Sequence, residues 1–148
     1  MSPVTIRRTV DFSPDELFEV AANIEAYPKF LPHCVATRVT QRKEGVWLVD
    51  NVFSWGPFPI KFRTRAELDA PHGLNIQTID SLLIDLSLSW RFRALEEGTN
   101  IMFEMNLTLP SKGLSRLITP SLRHQVEETE RAFLRRAQLL RDTKHGGA

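Results

Sequence analysis

Cys34 is the single cysteine of the chain and stands next to His33, one of four histidines. A thiol beside an imidazole is the residue pair of nucleophilic catalysis. In an extended segment, however, adjacent side chains point to opposite faces, so Cys34 reads as a buried small hydrophobe. His72 falls in a turn, His124 in a helical stretch and His145 near the C-terminus, and none has metal-ligand spacing. His124 and Glu128 are four apart, the spacing of a surface pair on a helix. Glu127, Glu128 and Glu130 read as a solvated face, not an acid–base dyad. No glycine-rich phosphate loop and no Gly-x-Ser-x-Gly occurs. The residues capable of chemistry thus point to no metal site and no catalytic site, and the expectation is a protein that is not an enzyme.

The elements around these residues are periodic. Val4 to Phe12 alternate as a strand does. Ser13-Pro14-Asp15-Glu16 then opens a helix: Ser13 can cap, Pro14 suits the first helical position, and Glu16 can close a capping box. Pro28 and Pro32 end that helical run. From Cys34 to Leu109 the period is two. Ile60, Phe62, Thr64, Ala66 and Leu68 alternate with charged residues, and Leu86, Leu88, Trp90 and Phe92 alternate with polar ones. Six strands joined by short connections predict an antiparallel meander. Leu114, Ile118, Leu122, Val126, Thr129, Phe133, Ala137 and Leu140 make one helical stripe, which Pro120 should kink or split. A sheet with one apolar face needs a cover, and this last helix is the only element long enough. The expected class is α+β, in the order β-α-α-β(6)-α: a curved antiparallel seven-stranded sheet wrapped around a long C-terminal helix.

Composition sets the frame for these elements. The chain has 148 residues, 42% hydrophobic and 25% charged, enough for one domain with its own core. That domain spans residues 1–148, with a core over 3–141 and a tail over 142–148. Nineteen Lys/Arg oppose eighteen Asp/Glu, which argues against bulk electrostatic binding of nucleic acid. One cysteine rules out an internal disulfide framework and a multi-cysteine zinc site. No run reaches the ~18 apolar residues of a membrane span, and Met1 to Val10 lacks the apolar core of a signal peptide, so a soluble cytoplasmic protein is expected.

The two ends of the meander differ. The connections near 42–45, 69–73 and 96–100 are polar turns at one end. The other end gathers Tyr27 to Pro32, Trp55-Gly56-Pro57-Phe58-Pro59, Ser81-Leu82-Leu83 and Gly113 to Ile118. Apolar connections on this scale either plug the core or form an apolar mouth, or serve as a contact between copies. Lys29, Lys112 and Arg116 rim that end. Inward strand positions Phe53, Trp55, Phe62, Leu88, Trp90, Phe92, Phe103 and Met105 suit an apolar pocket or a filled core, with Thr37, Asn51 and Thr64 as its few polar members. The candidate ligand-binding set is Phe30, Leu31, Asn51, Phe53, Trp55, Phe62, Thr64, Leu88, Trp90, Phe103, Met105, Leu117, Ile118 and Val126.

This combination resembles the START-like (helix-grip, polyketide cyclase/dehydrase) superfamily over residues 3–141. Within it the chain is similar to the coenzyme Q-binding protein family, whose bacterial members include ribosome-association toxins. The resemblance rests on Ser13-Pro14-Asp15-Glu16-Leu17-Phe18, Tyr27-Pro28-Lys29-Phe30-Leu31-Pro32-His33-Cys34, Trp90-Arg91-Phe92 and Ala132-Phe133-Leu134-Arg135-Arg136-Ala137. Trp55 to Ile60 departs from the more polar turn this family leads one to expect. The resemblance implies a bacterial protein that binds ubiquinone or a similar isoprenoid lipid between sheet and helix and serves respiration as a carrier without cofactor or catalysis. Asn51 or Thr64 would donate to the headgroup carbonyls. It further implies transient contact with a membrane surface, placing a cytoplasmic protein peripherally at the inner membrane. The alternative it carries is association with the large ribosomal subunit, blocking subunit joining, with Arg123, Arg131, Arg135, Arg136 and Arg141 on RNA phosphates. Interleaved with Glu127, Glu128 and Glu130, those arginines make a poor electrostatic stripe. A cyclase- or dehydratase-like enzyme is the third reading.

Overall fold

The structure, a computed structural model, describes residues 3–55, 57–79, 81 and 84–146, with the backbone alone at residues 55, 145 and 146. Seven antiparallel strands form its sheet: β1 (Val4–Val10), β2 (Cys34–Lys43), β3 (Val46–Trp55), β4 (Phe58–Asp69), β5 (Gly73–Ile79), β6 (Asp85–Ala94) and β7 (Thr99–Thr108). Their order is β1-β7-β6-β5-β4-β3-β2, so β2 to β7 are the expected meander. Consecutive strands β1 and β2 therefore sit at opposite edges. The helix α1 (Pro14–Ala22) and a 3-10 segment, Ile24–Lys29, carry the chain from one edge to the other. The second helix expected before β2 is thus a 3-10 segment with Pro28 inside it, where the missing N–H forbids a regular α-helical ladder.

Pro120 splits the C-terminal run into α2 (Lys112–Ile118), a 3-10 turn at Thr119–Ser121 and the 25-residue α3 (Leu122–Gly146). α3 runs past residue 141, so residues 142–146, expected as a tail, are helical. Lys144 Nζ meets Glu19 Oε2 at 2.5 Å, tying that extension to α1. Residues 147 and 148 lie outside the described residues.

Local chemistry explains the joints. Ser13 Oγ accepts from Glu16 N–H at 3.1 Å while Ser13 N–H donates to Glu16 Oε1 at 3.0 Å, the reciprocal box read from the sequence. Glu16 also takes two hydrogen bonds from Arg141, at 2.7 and 2.6 Å, which clasp α1 to the C-terminal part of α3. These hold its carboxyl well below the usual carboxylate range, at about 2. In the β6–β7 turn Gly98 has φ +88°, and a Cβ there would lie 2.2 Å from the Val10 carbonyl oxygen. Only glycine lets that turn close over the end of β1.

The interior lies between the concave sheet face and α3. On β4 the inward Ile60, Phe62, Thr64 and Ala66 are buried between exposed neighbours, the alternation of a one-faced sheet. Toward the polar-turn end the space is filled by rings. Trp90 stacks on Phe103 of the neighbouring strand and on Phe133 of α3, with centroids 4.1 Å apart in both cases, and Phe92 lies beside them.

Candidate functional site

The opposite end of the same interior is not filled. A partly open cavity of about 110 Å³ lies between the sheet and the first turns of α3. Its walls are Phe62 and Thr64 of β4, Asn51 and Phe53 of β3, Ile76 of β5, Leu86 and Leu88 of β6, and Met105 and Leu107 of β7. Leu122, Gln125, Val126 and Thr129 of α3 roof it, and Tyr27, Leu31, Pro32, His33 and Ile84, from the connections between elements, complete the lining. The lining is overwhelmingly apolar. Strand alternation delivers each sheet residue, and the i, i+3, i+4, i+7 spacing of residues 122, 125, 126 and 129 delivers the roof.

One polar pair is built into the wall. Asn51 Nδ2 donates to Thr64 Oγ1 at 3.0 Å and to the carbonyls of Val49 and Phe62, both at 3.2 Å. Asn51 and Thr64 are almost wholly buried. Because Thr64 Oγ1 accepts from Asn51, its own proton is left to donate, and among the described residues no acceptor takes it. The Asn51 carbonyl oxygen likewise receives no donor among the described residues. The cavity therefore presents one donor and one acceptor side by side, in apolar surroundings where a hydrogen bond to a ligand is strong. On the roof, Thr129 Oγ1 donates to the Gln125 carbonyl at 2.9 Å, which occupies its proton within the helix.

Titratable groups contribute little. Tyr27 donates its hydroxyl to the Ala21 carbonyl, and burial, with Cys34 beside it, pushes its phenol above the ordinary range. Burial pushes the Cys34 thiol up to about 12, so it is uncharged at neutral pH. His33 has φ +66° and its carbonyl accepts from Ser54 N–H at 2.8 Å. His124 Nε2 lies 3.0 Å from Glu128 Oε1 on the exposed face of α3. Among the described residues no cluster of His, Cys, Asp or Glu could hold a metal, and no helix is long and apolar enough to cross a membrane.

Eight of the fourteen residues proposed from sequence meet at this cavity: Leu31, Asn51, Phe53, Phe62, Thr64, Leu88, Met105 and Val126. Trp90 and Phe103 do not; they are consumed by the ring stack one register step further along β6 and β7. Phe30 does not line the cavity; it stands edge-on to Tyr27 and beneath the Arg136 guanidinium. Ile118 is fully buried without lining the cavity, and Leu117 is half exposed on the outer side of α2. The Trp55 side chain, Gly56, Leu82 and Leu83 lie outside the described residues. Thr37 is also diverted: its hydroxyl donates to the Ile24 carbonyl at 2.7 Å, fastening β2 to the 3-10 segment. The candidate set left out Leu86 and Leu107, which share the inward parity of residues it included, and Ile76, on a strand from which it drew no residue. It also left out Tyr27, Pro32, His33 and Ile84, and the roof residues Leu122, Thr129 and Gln125, the last a polar break in an apolar stripe.

Residues 10–136 match the family described as polyketide cyclase/dehydrase and lipid transport. Among curated proteins, the chain is 26% identical over 136 residues to the ribosome association toxin RatA of Rickettsia prowazekii, covering 88% of this chain and 92% of that one. Among solved structures it superposes on TTHA0849 of Thermus thermophilus with a TM-score of 0.81 at 17% identity, covering 94% of this chain and 99% of that one. The STAR-related lipid transfer protein of Xanthomonas axonopodis gives a TM-score of 0.74 at 10% identity, over 92% of this chain and 85% of the other. These structural likenesses concern the fold.

Proposed function

The chain belongs to the polyketide cyclase/dehydrase and lipid transport family, and on that premise we propose that it binds an isoprenoid quinone such as ubiquinone in the cavity over Asn51 and Thr64 and carries it without transforming it. The observation that carries this reading is the buried donor–acceptor pair in an otherwise apolar wall. A quinone carbonyl accepts from the Thr64 hydroxyl, and a quinol hydroxyl donates to the Asn51 oxygen, so both redox states find a partner. At about 110 Å³ the cavity is smaller than the roughly 300–1,000 Å³ of a typical small-molecule site. It suits a ring or a short stretch of tail, and the remaining length lies in the mouth. Each buried methylene adds roughly 0.8 kcal/mol, so the tail supplies most of the affinity. Transfer then takes place in transient contact with a membrane surface.

The non-enzymatic part of the proposal follows from the lining, which among the described residues brings no carboxylate, lysine or arginine to the cavity. Tyr27 and His33 are the titratable members of that lining. The decisive experiment is organic extraction and mass spectrometry of the protein isolated from its own cell. Stoichiometric quinone is expected, with Thr64→Val retaining several-fold less. Extracts empty of isoprenoid lipid, together with no quenching of tryptophan fluorescence by added ubiquinone, would sink the reading.

A second reading has its own support, since the Rickettsia relative named for ribosome association matches nearly end to end. In that reading the chain associates with the large ribosomal subunit and blocks subunit joining. Co-sedimentation with ribosomal subunits across a salt series tests it, because phosphate contacts weaken steeply with salt.

A further inference from the structure

The arginines of α3 do not act as one stripe. Arg136 lies over the Phe30 ring, 5.4 Å from its centroid, and Arg141 is held by Glu16, so neither faces a partner. In their place the fold brings cations from elsewhere. The edge strand β1 sets Arg7 and Arg8 along a groove whose other wall is Arg123, Glu127 and Arg131 of α3. On the far side of α3 a second groove is lined by Lys29, Glu128, Arg131 and Arg135. Arg131 belongs to both, so the two grooves flank one exposed helical ridge.

Six cations occupy this face against three carboxylates, Glu127, Glu128 and Glu130. Glu130 is buried and committed to Arg8 at 2.9 Å, while Glu127 is shared between Arg123 at 3.5 Å and Arg131 at 3.8 Å. Arg7, Arg135 and Lys29 have no ion-pair partner among the described residues. The face thus holds an excess of three positive charges in a chain whose total is +1, and the remainder of the molecule is net acidic. Such asymmetry is the electrostatic footprint of a polyanion partner.

We infer that this double groove astride α3 is a docking surface for the phosphate backbone of structured RNA. The choice of RNA rests on the ribosomal reading above; the place rests on the arginines. A surface that enters lipid pairs its cations with apolar side chains. The second groove does carry Pro28, Phe30, Leu31 and Pro32 beside its cations, so an anionic bilayer is its competing occupant and an outcome of the test. The first groove, with Ile6 as the one aliphatic residue of its lining, favours RNA.

The test measures binding of the full chain to a labelled RNA duplex of about twenty base pairs, long enough to present two successive grooves. Anisotropy is followed across a salt series. Arg7→Ala/Arg131→Ala should bind about tenfold more weakly, with a salt slope lower by about two. Arg65→Ala/Arg93→Ala, on the outer face of the sheet, should bind as the wild type does. All four arginines are exposed, and a thermal melt checks that each variant is folded. The inference is overturned if the wild type ignores the duplex, or if the first double variant binds it unchanged. It is equally overturned if a DNA duplex of the same sequence binds as tightly, or if phosphatidylglycerol vesicles bind in place of RNA. Ribosome co-sedimentation separates the two ideas: retained by Arg7→Ala/Arg131→Ala, it leaves the ribosomal reading standing and removes this surface. Absent in the wild type while the duplex still binds, it removes the ribosomal reading alone.

Discussion

The two halves of the interior share the same sheet and the same helix, yet one is solid and the other hollow. In the solid half β6, β7 and α3 contribute Trp90, Phe103 and Phe133, whose flat rings stack at 4.1 Å and fill the curvature. In the hollow half the corresponding positions are Leu88, Met105, Val126 and Thr129, and the walls do not meet. The sheet curves at both ends; side-chain volume decides where it encloses space. The contrast also separates labour: the ring stack and the Glu16–Arg141 clasp hold α3 at one end, so the other end can remain unfilled. A cavity costs dispersion contacts, and that loss must be offset elsewhere in the same core.

Truncation breaks or sharpens this comparison most strongly. Phe133→Ala should cost about 3–5 kcal/mol in urea unfolding, because the cavity it leaves is walled by rigid rings. Leu88→Ala, which only enlarges a void already present, should fall near the lower limit of about 2 kcal/mol for such changes. Equal losses would mean that the halves are equally packed. Enlargement gives the next largest effect, with opposite signs in the two halves. Ala137→Leu in the solid half should destabilise by roughly 1–3 kcal/mol through overpacking. Val126→Phe should stabilise by about 1 kcal/mol by filling space, and should lower quinone retention. A loss of stability at both positions would end the distinction.

The smallest effect concerns the clasp. Arg141 depresses the Glu16 carboxyl to about 2 from the ordinary 4.5. The folded state therefore binds this proton less readily than the unfolded one. The contribution of the ion pair is complete above pH 4.5 and is lost as pH falls toward 2. Glu16→Gln preserves the cap, so its melting temperature should sit below that of the wild type near neutrality and converge with it across that acid interval. A gap that stays constant through acid would assign the effect to packing instead.

Much of this organisation was legible in the sequence. Parity along β4 and β6 identified the inward face, Ser13 and Glu16 announced their cap, and Pro120 marked the division of the C-terminal run. Parity does not say how far along a strand the facing helix delivers a ring. Trp90 and Leu88 share one face of β6, and only the docking of Phe133 distinguishes filler from wall. Thr37 was diverted for a similar reason: the Ile24 carbonyl that claims it belongs to a segment bent by Pro28. Arg7 and Arg8 carried no signal beyond an exposed strand, because their neighbours on α3 lie more than a hundred residues away.

The position of β1 has a consequence for how the molecule is made. Strands β2 to β7 pair with sequence neighbours, so hairpins can form them early, whereas Val4 must find Met105 before β1 can join the sheet. Pairings of such sequence separation carry a large loop-closure cost and come late. The arginine-lined groove beside α3 thus comes into being with the last strand to close. The wall over Asn51 and Thr64 belongs to β3 and β4, and its strands can already be paired while the N-terminus is still searching for its place.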